Sequence, residues 1–312
     1  MNIPNNQSSE SDIDYLEIID LLYSEKISIL KAFFISGISS ILISLSLSNY
    51  FTSSAVLEIS ETSSSISGLG QYSGLASMVG ISLPSSNSQT KATRVIETIK
   101  SRDFVDHLLR IEDIAPAILA ADAFDPESGE IIFDSWKYDK KEDKWRRNFF
   151  MSLFASGPAK PTNLDVHKKY IDDIVSIFQD KRTGLITISV EHLSPVFAKE
   201  FLDLVINEAN SLLREKDLSD SSEALLYLES QLSKTSLIEM KDSLNKLIQA
   251  QLETQMLANI STDYVLKAIE PPFIPEKKSR PSRSIIVIIA TSLGGLLGIL
   301  IVIIRHYFNE QE

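Results

Sequence analysis

Two long uncharged runs, one near each end of the 312-residue chain, constrain its fold more than any other feature. No Asp, Glu, Lys or Arg occurs between Lys31 and Glu58, and none between Arg283 and Arg305. About 20 apolar residues wound as a helix cross roughly 30 Å of hydrocarbon. We therefore place transmembrane helices at 31–51 and 284–304. A buried core helix is the alternative for each run, and the many serines of the first leave that alternative more room there.

Charge next to the runs sets an orientation. Lys26 and Lys31 before the first run place the N-terminal segment, 1–30, in the cytoplasm. The second run reads the other way, with Lys277, Lys278, Arg280 and Arg283 before it and only Arg305 after it. The first span usually dominates, and a loop longer than about 60 residues crosses largely regardless of its charge. Residues 52–283 are thus assigned to the far side, and 305–312 form a cytoplasmic tail.

Both runs carry small residues at helical spacing. Ser36, Ser40, Ser44 and Ser48 fall four apart, and Gly294 and Gly298 form a GxxxG pair with Gly295 beside it. Small residues let helix backbones approach where no hydrophobic effect drives association, within one protomer or between two. The plainer reading is that serine and glycine are common in membrane helices.

Between the runs the periodicity alternates in kind. Asp12–Ser28 has apolar residues near helical spacing and predicts a short amphipathic helix. Ser54–Ser60 alternates as a strand does. Residues 61–88, rich in serine and glycine, read as a loop or as small helical pieces. From Thr90 the pattern is helical, through Val95, Ile99, Phe104, Val105 and Leu108. Residues 122–161 are aromatic, charged and broken by prolines, and no element is assigned there. Ile174–Phe178 and Gly184–Val190 predict two strands joined by a turn at 180–183. With the strand after the first run they suggest a small mixed sheet.

Ser194 is a fair N-cap and Pro195 suits the first helical position. No proline or glycine follows from Val196 to Glu270, so a long helix is expected over about 195–268. Leu218–Ser222 marks a possible kink or hairpin turn within it. Its apolar stripe is longer than one small domain can cover and calls for a second helix, assigned to a neighbouring copy. Pro271, Pro272, Pro275 and Pro281 end the tract and stiffen a linker over 271–283. The fold class is α+β: a membrane-proximal mixed α/β base domain with a long extended helix, flanked by two transmembrane helices.

Little in the chain points to catalysis. A net charge of −12 argues against a nucleic-acid partner. Without cysteine there are no disulfides, thiolate metal sites or thiol nucleophiles. GxxxxGK[ST], HExxH and GxSxG are all missing. His107, His167, His192 and His306 show no ligand spacing, and Gly68 and Gly70 lack the strand and basic residue of a phosphate loop. No catalytic residue, cofactor or metal is assigned. Lys277, Lys278, Arg280 and Arg283 form a basic patch suited to anionic or diphosphate-linked lipids, or to ordinary interfacial anchoring.

Several segments, in order, carry a resemblance: GLASMVGISL, GLITISVEHLSP leading into AKEFLDLVINEAN, LYLESQL, and YVLKAIEPPFIPEKKSRPSRS before the glycine-bearing second run. Together they make the chain similar to the Wzz-type chain-length determinants, the polysaccharide co-polymerases without a kinase domain. The resemblance covers nearly the whole chain and is weakest over 120–165. Its prolines are less evenly spaced, and its first span richer in serine, than the family pattern.

What the resemblance implies is a non-catalytic protein of the bacterial inner membrane, with both termini cytoplasmic and its main domain periplasmic. It would form a ring- or bell-shaped homo-oligomer and act with a Wzy-type polymerase on a growing lipid-linked glycan. Modal length of O-antigen is the expected readout, with capsule, exopolysaccharide or enterobacterial common antigen as alternatives. A two-span sensor and a membrane-tethered glycan enzyme are the readings from other classes. The positions expected to matter are the linker prolines Pro271, Pro272, Pro275 and Pro281 and the span residues Ser36, Ser40, Ser44, Gly294, Gly295 and Gly298.

Overall fold

The computed structural model describes residues 21–60, 88–111, 113–146, 160–261 and 263–309. They fall into two compact units: the chain up to Asn49 together with the chain from Ser279, and Tyr50–Lys278. Most of the amphipathic helix expected at 12–28, and nearly all of the stretch 61–88, lie outside the described residues.

The first uncharged run forms helix α1, Lys26–Ser46. It starts earlier than the expected span and stops sooner. Ser48 lies beyond it, and Phe51, expected inside the span, already opens strand β1, Phe51–Ile59.

In β1 burial alternates strictly, with Ser53, Ala55, Leu57 and Ile59 turned inward. Helices α2 (Ser88–Lys100) and α3 (Arg102–Ile111) bear out the helical pattern from Thr90. A short helix α4, Ala115–Ala120, leads into two small hairpins. These pair β2 (Ala121–Phe124) with β3 (Ile131–Phe133), and β4 (Tyr138–Asp139) with β5 (Lys144–Trp145). Helix α5, Asn163–Lys169, begins at a capping box in which Thr162 and Asp165 exchange side-chain-to-backbone hydrogen bonds. Those bonds hold the Asp165 carboxyl below its usual range.

Strands β6 (Val175–Gln179) and β7 (Ile186–His192) fall where the alternation placed them. Their turn closes on Gly184 at φ 77°, a left-handed conformation that suits glycine, and its amide donates to Asp180 at 2.7 Å. Helix α6, Pro195–Lys234, starts as the sequence indicated, with the Ser194 hydroxyl accepting from the Phe197 amide at 3.2 Å.

The expected single helix over about 195–268 needs correction. Helix α6 runs 40 residues, about 60 Å at 1.5 Å per residue. It then stops, and Thr235–Leu237 turn the chain into helix α7, Ile238–Ile260. Helix α7 packs back along α6, so Gln255 Nε2 reaches Ser222 Oγ at 2.9 Å and Arg214 Nη2 reaches the Ser261 carbonyl at 2.6 Å. The reversal is not at Leu218–Ser222. That stretch stays helical, its Ser222 hydroxyl bonded to the Leu218 carbonyl at 2.8 Å. The partner helix called for by the apolar stripe is therefore supplied in part by the same chain. Strand β8, Leu266–Glu270, occupies the end of the tract that was expected to be helical.

The sheet has the order β6-β7-β1-β8, and every pairing in it is antiparallel, so it is not the mixed sheet expected. One face is buried, as alternation in an antiparallel sheet permits. Ala198, Phe201, Leu202, Val205 and Ala209 of α6 form one hydrophobic core with Leu57, Ile186, Ile188 and Val190 of the sheet. Val95, Ile99, Phe104 and Leu108 of α2 and α3 complete it. Beyond this core, α6 and α7 form an arm held by a much smaller cluster around Leu228 and Leu247. The second uncharged run forms the last helix, α8, Arg283–Asn309.

Candidate functional site

Helices α1 and α8 are each long and apolar enough to cross a membrane. Their apolar windows are only 11 % and 17 % buried, which separates them from the core helices of a soluble domain. What they bury, they bury on each other, and small residues make the contact.

Gly294 of α8 lies against Ser36, and a Cβ at this glycine would run into the serine side chain. A Cβ at Gly295 would meet the Phe33 ring. At Gly298 it would stand 2.6 Å from the Ala32 Cβ and 3.9 Å from the backbone of Ile29. Gly37 faces Thr291 less tightly: its would-be Cβ would lie in ordinary contact, 3.4 Å from Thr291 Oγ1. Close backbone approach of this kind replaces the missing hydrophobic drive with dispersion contacts.

The serine stripe lies on the same face. Ser36 donates its hydroxyl to the Phe33 carbonyl at 3.0 Å, within its own helix. Ser40 and Ser44 are buried, at 4 % and 2 % exposure, and their hydroxyls have no hydrogen-bond partner. They act here as small side chains, not as polar glue.

The partners run in opposite senses along the two helices: 32 with 298, 36 with 294, 37 with 291. The pair is antiparallel. At one end Arg283 Nη2 donates to Asn49 Oδ1 at 3.1 Å, joining the exit of α1 to the entry of α8. The other ends, Lys26 and Asn309, therefore share the opposite side. Sequence reasoning missed Phe33, Ala32, Thr291 and the Asn49–Arg283 bond. Only Gly37 carried a readable signal, as the one glycine of the first run.

The linker prolines do not join this contact. Pro271, Pro272 and Pro275 belong to the Tyr50–Lys278 unit, and Pro281 to the helical pair. Pro275 is buried, and Ser53 Oγ ties the stretch to β1 by donating to the Phe273 carbonyl at 2.7 Å. Among the described residues no group of three or more His, Asp or Glu could hold a metal ion.

No family model matches the chain, and no curated protein matches it. Among solved structures it is similar to a full-length bacterial polysaccharide co-polymerase, with 14 % identity and a TM-score of 0.41, over 95 % of this chain and 99 % of that one. It is also similar to a fragment of WzzB, a polysaccharide co-polymerase from Salmonella Typhimurium, with 12 % identity and a TM-score of 0.24, over 74 % of this chain and 100 % of that one.

Proposed function

We propose that the chain is a Wzz-type polysaccharide co-polymerase, a non-catalytic regulator of surface-glycan chain length in the bacterial inner membrane. The observation that carries this reading is the order of elements. An apolar helix leads into β1; β7 passes through Ser194–Pro195 into a long helical arm; β8 passes through a proline-rich stretch into a glycine-bearing apolar helix. That is the order in which the sequence resemblance runs.

The antiparallel pairing of α1 and α8 supports a two-pass topology with both termini cytoplasmic and 52–283 periplasmic. Residues left exposed along the arm, among them Leu226, Ile238, Leu252, Met256 and Ile260, support side-by-side packing of copies into a ring or bell. The partner in this reading is a Wzy-type polymerase, the cargo a growing lipid-linked glycan, and O-antigen the first product to test. The small-residue contact and the linker prolines would set how the spans meet the polymerase, with the basic residues of 277–283 at the lipid head groups.

The test is genetic. Deletion of the gene should replace a clustered lipopolysaccharide ladder by one without modal length, and the intact gene should restore it. An unchanged ladder together with unchanged capsule would overturn the proposal.

A further inference from the structure

The two small hairpins β2–β3 and β4–β5 enclose an open cup of about 460 Å³. That volume lies within the usual range for small-ligand sites. Its lining combines three carboxylates, Asp125, Glu130 and Asp139, with three cations, Lys140, Lys141 and Arg146. The formal charges cancel. An anion would meet the carboxylates, a cation would meet the basic groups, and an apolar ligand would strand both.

A neutral polyol meets none of these objections. Its hydroxyls both donate and accept, so it can use carboxylate acceptors and ammonium or guanidinium donors at once. Its C–H faces need an aromatic wall, and Phe133 and Tyr138 line the same cup. The charged groups already stand in donor–acceptor pairs. Lys140 Nζ reaches Glu130 Oε2 at 2.6 Å, and Arg146 is bonded to Asp139.

The wall is built to hold its place. Phe133 and Tyr138 meet edge to face at 5.4 Å between ring centres, and Tyr138 and Trp145 at 5.3 Å. Trp145 packs in turn on the main hydrophobic core. Tyr138 donates its hydroxyl to Asp143, a non-glycine residue held at φ 50° in the turn between β4 and β5. Non-glycine residues adopt that conformation uncommonly. Trp136, directly after the lining residue Ser135, is a large ring left 73 % exposed among the described residues.

We propose that this cup binds a neutral stretch of glycan, stacked on the Phe133 ring that the buried Tyr138 backs and hydrogen-bonded by the Asp139–Arg146 and Glu130–Lys140 pairs. This deepens the chain-length reading and rests on it for the identity of the glycan. The only two tryptophans of the chain, Trp136 and Trp145, lie in this segment, so their fluorescence reports on it alone.

The test uses the full-length protein in nanodiscs of phosphatidylcholine. The probe is the host's own surface polysaccharide, freed of lipid and carboxyl-reduced, titrated against tryptophan emission and in parallel by calorimetry. Saturable binding is expected. The double variant Asp139→Asn/Arg146→Gln should lose about tenfold or more in affinity, the cost of losing a charged hydrogen bond. The pair variant Glu130→Gln/Lys140→Gln, at two side chains that are more than half exposed, should weaken binding in the same direction. No binding in either readout overturns the proposal, as does unchanged affinity in the exposed pair variant. Equal or tighter binding of heparin overturns the assignment to a neutral ligand. A gene deletion that alters the ladder alongside absent binding sinks the cup alone. Binding that the variants weaken, alongside an unaltered ladder, supports the cup and sinks length control.

Discussion

Asn210, in the middle of α6, treats Leu266 as a neighbouring strand would. Its Nδ2 donates to the Leu266 carbonyl at 2.9 Å, and its Oδ1 accepts from the Leu266 amide at 2.8 Å. The same oxygen also takes the Val265 amide at 3.0 Å. Asn210 is buried, so each broken bond leaves a polar group away from water. Asn210→Ala should lower unfolding stability by about 3 kcal/mol, at about 1 kcal/mol for each of these bonds. Chemical denaturation in detergent measures it, and a change under about 0.5 kcal/mol would contradict the role given to this side chain.

The span contact can be trapped covalently because the chain has no cysteine of its own. A Cβ at Gly37 would stand 3.4 Å from Thr291 Oγ1 and 3.8 Å from its Cγ2, so a sulfur at the γ position of residue 291 lies within reach of one carried by residue 37. Gly37→Cys with Thr291→Cys should oxidise within one chain. On a non-reducing gel the product should run as a monomer of altered mobility. A dimer band in its place would mean that the two helices meet between copies.

Size and polarity separate within the same interface. Ser40→Ala removes a buried hydroxyl without a partner and should leave stability unchanged or slightly raised. Gly298→Leu forces a side chain onto Ala32 and Ile29 and should prise the helices apart. The Gly37–Thr291 disulfide yield should fall several-fold in Gly298→Leu and hold in Ser40→Ala. Equal yields would remove the small-residue explanation.

The arm should open before the base. Leu228 and Leu247 are its large buried side chains, whereas the main core gathers residues from every strand of the sheet. Leu247→Ala, at about 2–5 kcal/mol, should raise hydrogen exchange over 214–260 and leave β1 and β7 protected. Exchange rising equally in β1 would show that arm and base unfold as one.

His192 should make the Tyr50–Lys278 unit acid-sensitive. Burial pushes its imidazole down to about 4, although the Ala117 carbonyl and the Ser194 amide hold it. Nε2–H donates to Ala117 at 2.9 Å and Nδ1 accepts from Ser194 at 3.0 Å, so the neutral ring is the one the fold uses. The unfolded chain takes up its proton near pH 6.5, the native one only near 4. The contribution is therefore complete above about pH 6.5 and fades as pH falls toward 4, reaching about 3 kcal/mol. Melting temperature between pH 7 and pH 5 should drop less in His192→Gln than in the wild type. Parallel curves would assign the acid sensitivity elsewhere.

Legibility in the sequence followed the range of the interactions. The alternation of ITISV and the Ser194–Pro195 cap act within a few residues, and both could be read directly. Strand β8 could not. Its state depends on the edge of β1 and on Asn210, 56 residues before Leu266. The reversal at Thr235–Leu237 left no glycine or proline to mark it, while the weak helix formers at 218–222 stay helical along a partner helix. The two-residue strands β4 and β5 pair only with each other, below the length at which periodicity says anything. The small residues of the spans were visible, but whether they met within one chain was a question of three dimensions.

That reversal has a consequence for how such an arm can change. Thr235 and Leu237 sit at φ −91° and −76°, open to any L-residue, so nothing in the joint is irreplaceable. Two whole turns added to α6 and two to α7 would lengthen the arm by about 10 Å at 5.4 Å per turn. The faces would stay nearly in phase, and the base sheet would be untouched. Reach is thus a dimension that insertions can tune freely, independently of the core that makes the protein fold.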